Sequence, residues 1–482
     1  MSKLLWEGND WTFERLRIAD EAIAEIAFDE LKLNTYPNQI EIISSEQMLE
    51  AYASHGLPLM YSHWSFGKHF IQQQYNYRKG YQGLAYEIVI NTNPAVSYLM
   101  EENSMTMQAL VIAHAAYGHN HFFKNNYLFK QWTDAEGIVD YMNFAKNYIA
   151  KCEEKYGYEA VENTLDACHA IMDYGIDKYK RPSKLSKEKE EERQKQREEL
   201  VQQQANELWS TLPKKKTQES RVSKQFPEEP QENIMYFIEK HSPILESWQR
   251  EIVRIVRKIS QYFYPQRQTK VMNEGWASFT HYYIMNRLWE KGLISDGSYL
   301  EFIHSHSGVL TQLPYDHKYY NGYNPYALGF DMFSDIRRIC EFPTAEDEEY
   351  FPHLVGKNWL DECLYAVENY RDESFIQQFL SPTIMRKWKL FEITNNEDDE
   401  YVEVTGIQDN RYYDRIRQTL SSQYSLSAYQ PNIQVFDADL KGSRELRLKY
   451  TPVNNAKLHK SKATVLEYIK MLWGHSVVII EK

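Results

Sequence analysis

A long amphipathic helical pattern is the feature that most constrains the fold of this chain. Between residues 236 and 263, apolar side chains recur at the spacing of a helix that buries one face: Ile244, Trp248, Ile252, Ile255, Ile259 and Phe263. Helical spacing also covers residues 11–33, 105–113 and 127–179. Short β-branched stretches at residues 39–44 and 86–92 predict two strands. We therefore expect a mainly α fold with α+β elements: a large helical core, a few N-terminal strands and a small C-terminal α+β module with an antiparallel sheet.

Composition divides the chain into four parts. Residues 184–200 contain twelve charged side chains in seventeen, and sequence rich in Gln and Pro follows to about residue 233. This segment is predicted to form either a solvated helix, stabilised by neighbouring Glu, Lys and Arg pairs, or an unfolded linker. The predicted parts are the N-terminal part of the helical core (1–182), a charged linker or insertion (183–232), the second part of the core (233–392) and the C-terminal module (393–482).

The charge balance argues against a nucleic-acid-binding surface. The chain has 55 Lys and Arg against 68 Asp and Glu, a net charge of −13, whereas such a surface needs excess positive charge or a dense basic stripe. No apolar run approaches the ~20 residues that span a bilayer, and the first residues lack the apolar stretch of a secretory signal. The four cysteines never form a CxxC pair, which disfavours a zinc ribbon. We expect a soluble, cytoplasmic protein without a nucleic-acid partner or a membrane span.

Three histidines within eight residues form the first candidate site. His114, His119 and His121 follow an apolar helix, and neutral imidazole is a common ligand of divalent metals. The spacing is not that of an HExxH motif, because His114 and His119 lie about 140° apart around an ideal helix and Ala115 replaces the glutamate. A helix that ends or bulges at Gly118 would bring His119 back toward His114. The cluster is predicted to bind a metal or substrate, with purely structural histidines as the alternative.

A glutamate in a second helical segment is the other candidate ligand. Residues 273–279 read Asn-Glu-Gly-Trp-Ala-Ser-Phe, which resembles the helix that supplies the glutamate ligand in gluzincin aminopeptidases. Glu274 and His281 share one helix face but lie about 10 Å apart along its axis. Glu274 is therefore predicted as a ligand, and His281 as a residue that supports the ligands or contacts substrate. An amphipathic helix whose glutamate binds a polar neighbour is the alternative.

Seven strings in chain order resemble the SpoVR family, the stage V sporulation protein R group of bacteria. They are SHWSFGKHF (62–70), YEIVINTNP (86–94), AHAAYGHNHFFKNN (113–126), DACHAIMDYGIDKYKRP (166–182), MNEGWASFTHY (272–282), NPYALGFDMFSDI (324–336) and FLSPTIMRKWKLF (379–391). The resemblance implies a cytoplasmic protein connected with the spore cortex, a peptidoglycan layer. For relatives in bacteria that do not sporulate, it implies a part in stress responses alongside a serine protein kinase. It implies no particular reaction.

One position departs from the pattern of the family. His121 stands where the family typically has an aspartate. Both side chains can bind a metal ion, so the exchange is compatible with coordination but would change the affinity and the preferred metal. It also argues against an aspartate at this position as a catalytic base of the family.

These observations lead to one functional hypothesis and one alternative. We expect a divalent metal, zinc, held by His114, His119 and Glu274, that serves the hydrolysis of an amide bond in peptidoglycan or its precursors. The predicted supporting or substrate-contacting residues are His121, His169, His281, His63, Lys68, Lys124 and Asn125. The alternative is a non-enzymatic adaptor or regulator that binds sporulation or stress-response proteins and holds a structural metal or none.

Overall fold

The chain forms two compact units. The first consists of Met1–Leu165 and Lys258–Gln430, and the second of Asp166–Arg257 and Pro431–Lys482. The computed structural model describes residues 4–53, 61–65, 68, 71–72, 75, 87–178, 226–227, 229–314, 317–320, 322–390, 392–394, 403–406, 410–425, 430–452, 458 and 462–481. The charged run at 184–200 lies outside the described residues, and the division into four parts stays a prediction.

Helices dominate the described residues, which confirms the predicted mainly α fold. In the first half of the chain they are α1 (Phe13–Glu25), α2 (Ser45–Ala53), α3 (Met105–Ile112), α4 (Asn120–Asn125), α5 (Tyr127–Trp132), α6 (Ile138–Tyr156), α7 (Tyr158–Ala170) and α8 (Ile234–His241), with π-helices at Ile26–Glu30 and Ala113–His119 and a 3₁₀ turn at Met172–Tyr174. No helix in the described part of the chain is long and apolar enough to cross a membrane.

The second half of the chain is also helical. It contains α9 (Ser247–Gln268), α10 (Lys270–Glu290), α11 (Asp296–Val309), α12 (Pro325–Glu341), α13 (Ala345–Tyr350), α14 (Trp359–Asn369), α15 (Asp372–Phe379), α16 (Pro382–Lys387), α17 (Asn410–Gln423) and α18 (Lys462–Trp473). The predicted buried face of α9 is confirmed in its middle and is wrong at its two end residues. Ile244 precedes the helix and is exposed, and Phe263 is only half-buried, whereas the four apolar residues between them are buried or nearly so.

A three-stranded sheet lies against the helices of the first unit. The strands β1 (Asn38–Ile43) and β2 (Glu87–Ile90) confirm the two predicted strands, and β3 (Ala95–Met100) between them was not predicted. β3 pairs parallel with β1 and antiparallel with β2, and its side chains alternate between buried and half-buried. The sheet contacts the π-helix Ala113–His119 through β1, β2 and β3.

The last strands of the chain form two small sheets. β4 (Glu392–Thr394) and β5 (Glu403–Gly406) pair antiparallel in the first unit. In the second unit, β7 (Leu446–Thr451) pairs antiparallel with β6 (Asn432–Ala438) and parallel with β8 (Val477–Glu481). The antiparallel sheet predicted here is therefore wrong for β8. Helix α18 connects β7 to β8, and a helical crossover returns the chain in the same direction.

The helical segment from Met105 to Asn125 is continuous, so the predicted helix end at Gly118 is wrong. α3 leads into the π-helix Ala113–His119, called the central π-helix from here on, and α4 follows it directly. Helix α10 packs against this π-helix so closely that a Cβ at Gly118 would lie 2.7 Å from the Cα of Ala277. Glycine at position 118 therefore permits the contact.

A second glycine contact fixes the other side of α10. A Cβ on Gly275 would lie 2.3 Å from the Cα of Gly329 in α12, closer than real Cβ contacts allow. Both glycines are buried, and α10 and α12 pack along much of their lengths. The backbone around Glu274 is therefore held by direct backbone contact on two sides of one helix.

Replacing Gly275 by Ala should destabilise the protein. The added methyl group has no space, and overpacking of this kind costs about 1–3 kcal/mol. Gly308→Ala is the matched control, because Gly308 lies in helix α11 with no atom within 4 Å of the added Cβ. Alanine should be neutral or stabilising there. Urea unfolding measures both, and equal stability of the two variants would contradict the close contact.

Asp372, the first residue of helix α15, caps the start of helix α10 although it is distant in the sequence. Its Oδ2 accepts the backbone N–H of Val271 at 2.9 Å, and its Oδ1 accepts that of Met272 at 2.9 Å. The first N–H groups of a helix have no partner within the helix, so these bonds stabilise its first turn. Burial raises the pKa of Asp372 to about 7, although these hydrogen bonds lower it.

The stability contributed by Asp372 should fall as pH rises. The carboxyl binds its proton more tightly in the folded chain than in the unfolded chain, where its pKa is near the ordinary value. Its contribution is therefore complete at low pH and is lost as pH rises through about 7. The difference in free energy of unfolding between wild type and Asp372→Asn should shrink from about pH 5 to about pH 8. A difference that grows over this interval would show that the folded chain favours the ionised carboxylate.

Candidate metal centre

The central π-helix brings two histidines together. In a π-helix the hydrogen bonds connect residues five apart, so His114 and His119 follow one another on the same face after one turn. Their rings meet edge to face with centroids 4.6 Å apart, and both side chains are buried. The bulge considered for Gly118 is therefore present. It removes the separation of about 140° that an ideal α-helix would place between His114 and His119.

Glu274 reaches the same point from helix α10. Its Oε2 lies 3.4 Å from Nε2 of His119 and 3.7 Å from Nε2 of His114. The three residues each offer one ligand atom within 4.8 Å of the others. Ligand atoms around a tetrahedral zinc ion with bonds of 2.0–2.1 Å lie about 3.3 Å apart. The spacing of these atoms is thus close to that which one small cation requires. The group of His114, His119 and Glu274 is called the three-residue cluster below.

Two polar atoms of the three-residue cluster lack a hydrogen-bond partner. Nε2 of His114 and Oε2 of Glu274 are both buried, and neither makes a hydrogen bond with the described residues. Buried polar atoms in proteins are nearly always satisfied, so two such atoms that face each other require an explanation. A divalent cation between them would satisfy both atoms, and the donor set of two imidazoles and one carboxylate is one that zinc accepts.

Asn273, the residue before Glu274, orients one imidazole. Its amide oxygen accepts a hydrogen bond from Nδ1 of His119 at 2.9 Å. With its proton on Nδ1, a neutral His119 presents the lone pair of Nε2 to Glu274. Metal-binding histidines typically donate their other ring N–H to an oxygen in this way.

A chain of three imidazoles extends from the other histidine. Nδ1 of His114 lies 2.9 Å from Nδ1 of His281, and Nε2 of His281 lies 2.7 Å from Nδ1 of His306. When Nδ1 of His114 donates to His281 and Nε2 of His281 donates to His306, the lone pair of Nε2 of His114 faces the three-residue cluster. Burial and the neighbouring imidazoles lower the pKa of His281 well below its ordinary value, and burial lowers the pKa of His306 to about 4. Both rings are therefore neutral at pH 7.

A second carboxylate faces the cluster from the sheet. Oε1 of Glu87, at the start of β2, lies 3.6 Å from Nε2 of His114. Both glutamates are 17% exposed at the side chain, whereas His114 and His119 are 5% and 8% exposed. The glutamate side chains are therefore more exposed than those of the two histidines.

The pKa values of the cluster follow from burial and these neighbours. Burial raises the pKa of Glu87, and the charge of Glu274 adds to the increase. For Glu274 burial acts in the same direction, but His119 and His114 outweigh it and hold the pKa far below its usual range. Burial alone would lower the pKa of His119, yet Glu274, Asn273 and Glu87 together raise it. Positive charge is thus favoured between the two carboxylates.

Glu87 and His306 were not predicted from the sequence. Glu87 is distant from the histidines in the chain and reaches them only through strand pairing and packing of the sheet. Its signal was a charged residue that opens an apolar strand, in the string YEIVINTNP. His306 lies two residues after His304. The spacing of these two histidines in the sequence does not show where they lie in the fold.

His121, Lys124 and Asn125 lie on α4, and their hydrogen bonds hold the segment at residues 34–35. Nδ1 of His121 accepts the backbone N–H of Asn34 at 2.9 Å, and Lys124 donates to the carbonyl of Thr35 at 2.6 Å. Asn125 exchanges two hydrogen bonds with Asn34. Lys124 also lines a cavity of about 650 Å³ with this segment. Their predicted roles in the site stay predictions.

The remaining predicted site residues lie elsewhere in the chain. Nδ1 of His63 is 2.6 Å from the hydroxyl of Ser65, and the ammonium of Lys68 lies over the ring of Trp64. His169 belongs to helix α7, in the part of the chain assigned to the second unit. No role of these three residues is tested, and each stays a prediction.

The fold and the cluster define an α-rich protein with two buried imidazoles and a carboxylate around one point. The sequence matches the family described as "SpoVR like protein" over residues 10–429 and the "SpoVR-like C-terminal domain" over residues 431–482. The chain therefore belongs to the SpoVR family, as the sequence strings indicated.

A curated relative extends this similarity along the chain. "Uncharacterized protein YcgB" of Escherichia coli (strain K12) is 54% identical over 476 residues, which cover 98% of this chain and 93% of the relative. Its name states no activity. No solved structure matches the chain.

Proposed function

We propose that this SpoVR-family protein is a divalent-metal-dependent hydrolase that cleaves an amide bond, with zinc as its metal. The observation that supports the proposal best is the three-residue cluster, in which two buried polar atoms face each other without a hydrogen-bond partner. Three protein ligands are typical of catalytic zinc sites, whereas structural zinc sites use four. The fourth position then admits water or substrate.

The residues around the proposed ion would have two roles, to bind it and to orient the side chains that bind it. His114, His119 and Glu274 would hold the ion, while Asn273 and His281 would keep the two imidazoles in their binding orientation. When bound, the ion supplies Lewis-acid chemistry: it polarises a carbonyl group and lowers the pKa of a water molecule toward neutrality. The likeness of the Asn-Glu-Gly segment to gluzincin aminopeptidases supports an amide as the substrate.

The family suggests where such a reaction would act. SpoVR proteins are linked to the peptidoglycan of the spore cortex, and relatives in bacteria without spores are linked to stress responses. A cytoplasmic enzyme would meet the precursors of peptidoglycan rather than the mature polymer. We therefore propose an amide bond of a peptidoglycan precursor as the substrate, and sporulation or stress-response proteins as partners.

Metal content is the direct test of this proposal. Protein purified without a histidine tag and equilibrated with zinc should carry about one equivalent by elemental analysis. The His114→Ala, Glu274→Ala double variant should lose it, because two of the three ligands are gone. His304→Ala is the control, since His304 is an exposed histidine on α11 and should leave the metal content unchanged.

The outcomes separate the two functional hypotheses. Equally low metal in wild type and the double variant would refute the site. Metal in wild type, combined with no cleavage of UDP-N-acetylmuramyl pentapeptide by mass spectrometry, would favour a structural metal in a non-enzymatic adaptor. Cleavage by wild type and its loss in the double variant would support the hydrolase.

Asn273 should set the affinity for the metal without binding it. Asn273→Ala removes the oxygen that orients His119, and loss of such a partner typically lowers metal affinity about 10–100-fold. Asn286→Ala is the matched control, because Asn286 lies on the same helix and bonds to Tyr282 and Tyr299 instead. Competition titration with a chromogenic zinc chelator measures both. Equal affinity of the two variants would show that His119 needs no support from Asn273.

A further inference from the structure

Glu87 places a second carboxylate at the three-residue cluster. Its Oε1 lies 3.6 Å from Nε2 of His114, yet Glu87 is not part of the group whose ligand atoms all lie within 4.8 Å of one another. It therefore stands beside the position of the ion rather than among the residues that enclose it. Its side chain is as exposed as that of Glu274 and more exposed than either imidazole.

The strand directs this carboxylate inward. Alternate residues of a strand share a face, so Glu87 and Val89 project from the same side of β2. Val89 packs against the hydrophobic core of the first unit, and β2 contacts the central π-helix. Glu87 thus occupies a position on the inner face of the sheet that normally suits an apolar residue.

Glu87 has little electrostatic compensation from the protein. Among the residues that the structure describes, its ion pair is with His114, and no Lys or Arg pairs with it. A carboxylate held in such a place without a permanent cation costs free energy, so a structural role alone does not account for it. A role toward a bound ion or its reactants does.

We propose that Glu87 is the general base of this site, supplied by strand β2 in place of the glutamate of an HExxH helix. This inference rests on the proposed hydrolase function. Glu87 accepts one proton from the attacking water as the water oxygen forms its bond to the acyl carbon. The C–N bond then breaks, and the departing nitrogen takes that proton. The products are a carboxylic acid and an amine, so one water is consumed for each amide cleaved.

The test uses the cobalt-substituted full-length protein, because Co²⁺ reports its coordination through visible absorption. Glu87→Gln keeps the shape of the side chain but accepts a proton far less readily. It should bind one equivalent of Co²⁺ with the wild-type spectrum. Acetohydroxamic acid, which loses a proton as it binds a metal ion, should bind the variant about tenfold or more weakly. Glu41→Gln, on strand β1 of the same sheet, is the matched control and should behave as wild type.

Each result has a distinct meaning. Loss of Co²⁺ from Glu87→Gln would make Glu87 a fourth ligand and overturn its role as a base. Unchanged binding of both Co²⁺ and acetohydroxamic acid would also overturn it and would leave the metal site intact. Failure of wild type to bind Co²⁺ would refute the proposed function itself. Circular dichroism and the melting temperature of each variant show that it is folded. With cleavage of the precursor as a second readout, kcat should fall about 100-fold or more in Glu87→Gln.

Discussion

The approach of helix α10 to the central π-helix is the contact on which the rest of the site depends. Gly118 lets Ala277 come within van der Waals distance of the π-helix backbone, and Gly275 does the same toward Gly329 on α12. A side chain at either glycine would collide with the facing backbone, because a close-packed interior has no space for an added methyl group. Glu274 immediately precedes Gly275 on α10 and lies three residues before Ala277. Its distance to the histidines is therefore set by backbone packing rather than by the rotamer of a long side chain.

The cluster concentrates opposing charges in a buried place. Two carboxylates face the imidazole of His114, and the rings that continue from it, His281 and His306, are held neutral. These side chains interact strongly, so the pKa values measured in a titration describe the whole group of side chains and not single residues. The carboxylates raise the pKa of His119, so they favour positive charge at the point where a divalent cation would bind. Such a cation would compensate both carboxylates, and the removal of one of the proposed ligands should then affect the others.

The sequence predicted the helices and the candidate ligands but not how they meet. Apolar spacing identified α9, because burial of one face is a local property of a helix. The segment from Met105 was found from its apolar composition, since all residues of α3 are buried. The π-helix depends on how α10 packs against it, so the sequence left a helix end and a bulge at Gly118 as alternatives. Glu87 depends on the pairing of β2 with β3, an unpredicted strand, and a long-range contact of this kind leaves no local pattern. The parallel pairing of β8 was missed for the same reason.

His121 acts as a hydrogen-bond acceptor beside the segment that precedes β1. Nδ1 of His121 accepts hydrogen bonds from the backbone of Asn34 and the amide of Asn125. Burial lowers the pKa of His121 to about 3, so it serves as a neutral acceptor. An aspartate oxygen could accept the same two bonds. These hydrogen bonds give His121 a part in holding the segment before β1, and they involve none of the residues proposed to hold the ion, His114, His119 and Glu274.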